Sequence, residues 1–89
     1  MVVYYDSIID ALDIRLLPGA EVARSVDIDD RRVVDLDAEG RVVSIEIMGS
    51  SHGFEITDII ERYGLSEHQD GLLKLASGKL PTAVTKRAS

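Results

Sequence analysis

The sequence predicts an α+β domain, an antiparallel β-meander of four or five strands followed by one or two short C-terminal helices packed on the sheet. Three observations carry this reading. Through Met48 apolar residues recur at every second position; Pro18-Gly19, Asp29-Asp30 and Asp37-Ala38-Glu39-Gly40 interrupt them; and beyond Gly53 the apolar period lengthens to that of a helix.

Val2-Val3-Tyr4-Tyr5 is β-branched and aromatic, as a first strand should be. In Ala11–Leu16 the apolar Leu12, Ile14 and Leu16 alternate with Asp13 and Arg15, the pattern of a half-buried strand. Pro18-Gly19 turns the chain, and Val22–Ile28 resumes the alternation with Val26 and Ile28 opposite Ser25 and Asp27. The clearest element is a hairpin of Arg31–Leu36 and Arg41–Ile47. A four-residue loop ending at Gly40 sets Leu36 opposite Arg41, Val34 opposite Val43 and Arg31 opposite Glu46. Val34, Leu36, Val43, Ile45 and Ile47 then share one face, while Asp35, Ser44 and Glu46 share the other.

Beyond Met48 the pattern changes. Ile56, Ile59, Ile60 and Tyr63 follow helical spacing, with Gly64 at the C′ position, so Phe54–Tyr63 reads as an amphipathic helix. Ser66 and Gln69 have capping-box spacing and open a second helix through Leu72, Leu73 and Leu75 to Gly78, weakened by Gly71 at about 1 kcal/mol relative to Ala. From Pro81 the chain is expected to be extended or loosely ordered. The organisation expected is one β-rich domain over residues 1–78 with a helical C-terminal part, then a basic tail over 79–89.

At 89 residues there is room for one small core, so self-association is a natural source of added stability. The open sheet edges, and an apolar strip of Val33, Val42 and Met48 on the polar face of the hairpin, point to a homodimer or higher oligomer. The chain has no Cys, which excludes disulfide frameworks, thiolate metal sites and Cys nucleophiles. No apolar run approaches the roughly 20 residues of a membrane helix, and Met1–Asp6 lacks the layout of a secretory signal, so the expected location is the cytoplasm.

Charge is uneven. Through Ile47 there are eleven acids and five bases, whereas from Met48 onward five of each cancel. Acidity in the first half repels a phosphate backbone over a Debye length of about 8–10 Å, so direct contact with duplex DNA is not expected there. After Gly71 the charges are Lys74, Lys79, Lys86 and Arg87, all basic.

Tyr5-Asp6, Asp10-Ala11-Leu12, Ile14-Arg15-Leu16 and the run Val33–Ile47 resemble the small bacterial and phage proteins grouped as domain of unknown function 2283, over residues 4–51. Asp13 stands where that family usually has an aromatic residue, and Ser44 where it usually has Gly. The resemblance implies a compact β-rich domain with no established activity. Some members appear beside genes for small ribonuclease-like toxins, which implies an antitoxin-like or partner-binding role and supplies no catalytic residue.

The motifs that suggest chemistry fail on spacing or context. Asp35-x-Asp37-x-Glu39-Gly40 followed by Glu46 approximates a calcium loop, but Val-rich strands flank it, and six strand residues at about 3.3 Å each carry Glu46 away from Asp37. His52 and His68 are too far apart in sequence to form a helical metal pair, and Ser51-His52 has no nucleophile-elbow context. The expectation is therefore a non-enzymatic interaction module without cofactor or metal. It would bind a basic, toxin-like partner protein through an acidic sheet face containing Asp35, Asp37, Glu39 and Glu46. The alternative is a small DNA-associated regulator using the C-terminal helices and basic tail; of the side chains suited to reading bases, that region offers mainly Gln69 and Lys74.

Overall fold

A computed structural model describes residues 1–78 and the backbone of residues 84–87. Five strands, β1 (Val2–Asp6), β2 (Ala11–Arg15), β3 (Arg24–Asp27), β4 (Arg32–Leu36) and β5 (Val42–Met48), precede two helices, α1 (Thr57–Tyr63) and α2 (Gln69–Ala76), and a last strand, β6 (Val84–Arg87). The sheet order is β3-β4-β5-β2-β1-β6. The first five strands are antiparallel throughout, giving the α+β architecture expected, with β2 beside β5 and β3 at the far edge. β6 runs parallel to β1, with Val84 opposite Val3 and Arg87 opposite Asp6. Within the tail expected to be extended or loosely ordered, residues 84–87 thus join the sheet, and residues 79–83 and 88–89 lie outside the described residues.

One face of the sheet and the inner faces of both helices form the core. Val3, Leu12, Ile14, Val34, Ile45 and Ile47 pack against Ile56, Ile59, Ile60, Leu72 and Leu75, each less than a tenth exposed. Ile45, on the central strand β5, is fully buried. Because β5 runs parallel to β6, the chain leaving β5 must cross the sheet before β6 can pair, and the helices cover the apolar face on the way.

The β4–β5 hairpin differs in register from expectation. Asp37 N donates to Arg41 O at 2.9 Å and Gly40 N to Asp37 O at 3.1 Å, so the loop has three residues, with Gly40 at φ 81. A bulge follows between Asp35 and Leu36, which places Leu36 opposite Val42, Val34 opposite Ile45 and Val33, not Arg31, opposite Glu46. The shift from the expected pairing is two residues along most of the hairpin, so the faces keep their residues. At the bulge it is one, which turns Val42 into the core and out of the expected apolar strip.

Gly64 ends α1 in the left-handed region at φ 64, with its N–H on Ile60 O, as its position in the sequence suggested. The expected capping box does not form. Residues Ser66–His68 make a 3-10 turn, α2 begins at Gln69, and neither start has a side-chain cap.

Candidate functional site

The helix-free face of the sheet is built by the alternate residues of each strand. Strand register lines up Val2, Arg15, Ser44, Asp35 and Ser25 in one row, and Tyr4, Asp13, Glu46, Val33 and Asp27 in the next. Four carboxylates, Asp13, Asp27, Asp35 and Glu46, therefore share these two rows with one cation, Arg15. Asp13 and Asp35 are buried although they belong to this polar face, and Glu46 is exposed.

Hydrogen bonds decide how these acids titrate. Ser25 Oγ and Ser44 Oγ donate to the two oxygens of Asp35 at 2.5 and 2.7 Å. Burial opposes ionisation of Asp35, but its interaction with Glu46 and the two serine hydrogen bonds outweigh burial and hold it below the usual carboxylate range. Glu46 moves the other way. Desolvation, the hydrogen bond shared with Asp35 and the charges of Asp35 and Asp13 push it up to about 7, while Arg15 acts in the opposite sense. Arg15 reaches Asp13 Oδ2 at 3.3 Å and lies over the Tyr4 ring, 5.6 Å from its centroid. The face is thus a carboxylate cluster short of positive charge, in which Glu46 on β5 is raised toward neutrality beside Asp35 on β4, which is held low.

Of the four acids expected on a binding face, Asp35 and Glu46 come together here. Asp37 is taken up by the hairpin loop: its carboxylate accepts from Glu39 N at 3.0 Å, Arg41 N at 2.8 Å and Arg41 Nε at 2.8 Å. The backbone hydrogen bond from Arg41 leads the interactions that keep Asp37 ionised below its ordinary range. Glu39 stands at the loop tip and pairs with exposed Arg41 at 3.2 Å. Sequence reasoning did not assign Asp13, Arg15 or Ser25 to the face. The alternation of β2 carried the signal for the first two, but their place depended on β2 lying next to β5.

A second built feature lies where the β1–β2 turn meets the chain after β5. Asp10, at φ 51, accepts from Tyr5 OH at 2.8 Å, Ser51 N at 3.0 Å and Ser51 Oγ at 2.6 Å, and Ser50 N donates to Asp10 O at 3.1 Å. The Ser51 hydroxyl is the largest influence holding Asp10 below its ordinary range, and the hydrogen bond to Asp10 raises Tyr5. Tyr5 and Ser51 also line a cleft of about 550 Å³ with Leu12, Phe54, Leu75 and Ala76. His52 lies in this cleft and His68 in a smaller one near Tyr63, on separate parts of the surface. Among the described residues no group of three or more His, Asp and Glu is arranged to hold a metal.

No helix of the described residues is long and apolar enough to cross a membrane. No curated protein and no solved structure matches the chain. The profile described as protein of unknown function (DUF2283) matches residues 3–51, from within β1 to the turn after β5, which contains every charged residue of the carboxylate face. That match spans more than half of the chain, and the protein belongs to the DUF2283 family.

Proposed function

We propose that this protein is a small, non-enzymatic, cytoplasmic interaction module, antitoxin-like in its role, that receives a basic partner protein on the helix-free face of its sheet. The observation that supports this most is the Asp35–Glu46 pair: two carboxylates on adjacent strands hold one between them in an unfavourable state near neutral pH. A guanidinium or ammonium group from a partner would relieve that repulsion and draw Glu46 into its ionised form. In this reading exposed Glu46 makes the contact, and buried Asp13 and Asp35 act through their charge on it. Asp37 is committed to its loop, and Glu39 contributes longer-range attraction from the tip.

The test is co-purification with the product of the neighbouring gene, followed by association kinetics. Asp35→Asn with Glu46→Gln should slow association and flatten its salt dependence while leaving the circular dichroism spectrum unchanged. Unchanged rate and affinity would sink the proposal. The reading includes self-association as a homodimer or larger assembly, supported by the small core, the exposed Met48 and the open edge at β3.

A further inference from the structure

Two of the most exposed large apolar side chains among the described residues are neighbours on one tight turn. Ile8 is 67% exposed and Ile9 54%, between β1 and β2, a place that ordinarily holds polar residues. The turn is not loose. Ile8 N donates to Asp6 Oδ1 at 3.0 Å, and on its other side Asp10 is tied to Tyr5, Ser50 and Ser51. The two isoleucines are therefore held out in a fixed geometry, and ordering them on contact costs little entropy. Exposed Met48 lies opposite Ala11 on the neighbouring strand and extends the apolar surface beside the turn.

The cleft lies at the same end of the molecule, because Tyr5 and Ser51 both line it and hold Asp10, the residue after Ile9. Its apolar lining, Leu12, Phe54, Leu75 and Ala76, suits branched aliphatic side chains, and no Asp, Glu, Lys or Arg is among its described lining residues. Projection and receptor on one end can be satisfied together by a two-fold axis, each copy giving its tip and receiving its partner's. Repulsion between two copies of net charge −6 is screened over a Debye length of about 8–10 Å, and at this end the acids nearest the turn, Asp6 and Asp10, stay ionised but face hydrogen-bond donors of their own chain.

We infer that a second copy of this chain docks here, with the Ile8–Ile9 turn of one copy seated in the cleft of the other. This rests on the self-association reading, not on the acidic-face reading, and assigns it a surface.

Sedimentation of the wild-type chain at micromolar concentration should give the dimer mass. Ile8→Asp with Ile9→Asp should weaken dimerisation by at least about tenfold, and Val22→Asp, at an exposed apolar position in the β2–β3 connection, should leave it unchanged. Because the chain has no Cys, an Ile9→Cys chain mixed with a Ser77→Cys chain should form a disulfide-linked heterodimer on oxidation. A monomeric wild type would overturn both this inference and the self-association reading. A dimer that survives the double aspartate substitution would overturn the surface alone. A disulfide formed mainly between two Ile9→Cys chains would replace the cleft by a tip-to-tip contact.

Discussion

Arg32 and Asp58 face each other as a two-point ion pair, Nη1 to Oδ1 at 2.7 Å and Nη2 to Oδ2 at 3.0 Å, which fastens the first turn of α1 to the end of β4. The same guanidinium donates to Glu55 O at 3.0 Å and to Asp29 Oδ2 at 2.9 Å. Arg32 stands in the core-facing row with Ile47 and Leu12, and a charge is tolerated there because its donors are occupied.

Removing the two ends of this pair should therefore have unequal effects. Asp58→Asn should cost only about 0.5–1 kcal/mol, since Asp58 is largely in water. Arg32→Ala should cost more, about 1.5–3 kcal/mol, because it takes the side-chain donor from Asp58 and from the Glu55 carbonyl together and one of three donors from Asp29, which keeps the backbone N–H groups of residues 31 and 32. Urea unfolding of both variants and the double mutant measures the difference.

The same pair sets an acid limb. The Arg32 hydrogen bond lowers Asp58 from its ordinary 3.8, so the stability it contributes is complete above that value and is lost as pH falls through the lower folded one. Melting temperatures below pH 4 should drop less steeply in Arg32→Ala than in the parent.

Glu46 should produce the opposite slope near neutrality. Its folded value of about 7 lies above the ordinary 4.5, so its contribution is complete below 4.5 and is lost as pH rises through about 7. Glu46→Gln should raise stability at pH 8, by less than about 1.5 kcal/mol because water screens an exposed side chain. Carbon-detected NMR titration gives the direct check: Asp35→Asn should move Glu46 back toward 4.5.

Ile45→Ala should cost about 2–5 kcal/mol, a large part of the stability of a domain this small. Ile45 is fully buried between β2 and β4, opposite Ile14 on one side and Val34 on the other, so the missing atoms leave a cavity that rigid neighbours cannot close. Loss of the cooperative thermal transition at 37 °C is the expected readout.

Gly71→Ala should stabilise the protein. A Cβ there would come within 2.6 Å of the Met1 methyl, but Met1 is exposed and its side-chain end can swing away, so the helix gains roughly 0.5–1 kcal/mol of intrinsic preference. A lower urea midpoint in Gly71→Ala would mean that the Met1 contact matters more than the helix preference.

Strand identity was legible because burial on one face imposes a period of two, and Leu12, Ile14, Val34, Ile45 and Ile47 obey it. The hairpin register was less legible. The choice between a three- and a four-residue loop at Asp37–Gly40, and the bulge beside Val42, depend on backbone hydrogen bonds that residue type alone does not specify. Ser66 and Gln69 had capping spacing, yet the tighter 3-10 turn satisfied the backbone without them. The carboxylate face was half legible. Asp35 and Glu46 belong to one hairpin, but Asp13 and Arg15 joined them through the contact of β2 with β5, a long-range pairing for which no local pattern codes.

The parallel pairing of β6 with β1 joins segments separated by almost the whole chain, the most distant contact in the sheet. Loop closure over that span is entropically the slowest step available to the fold, so β6 should add after the helices have covered β2 and β5. During synthesis on the ribosome, β1 is then an unpaired edge for as long as it takes to make everything up to Val84, and a nascent chain paused after α2 exposes the row Val3, Tyr4 and Tyr5 to any other strand nearby.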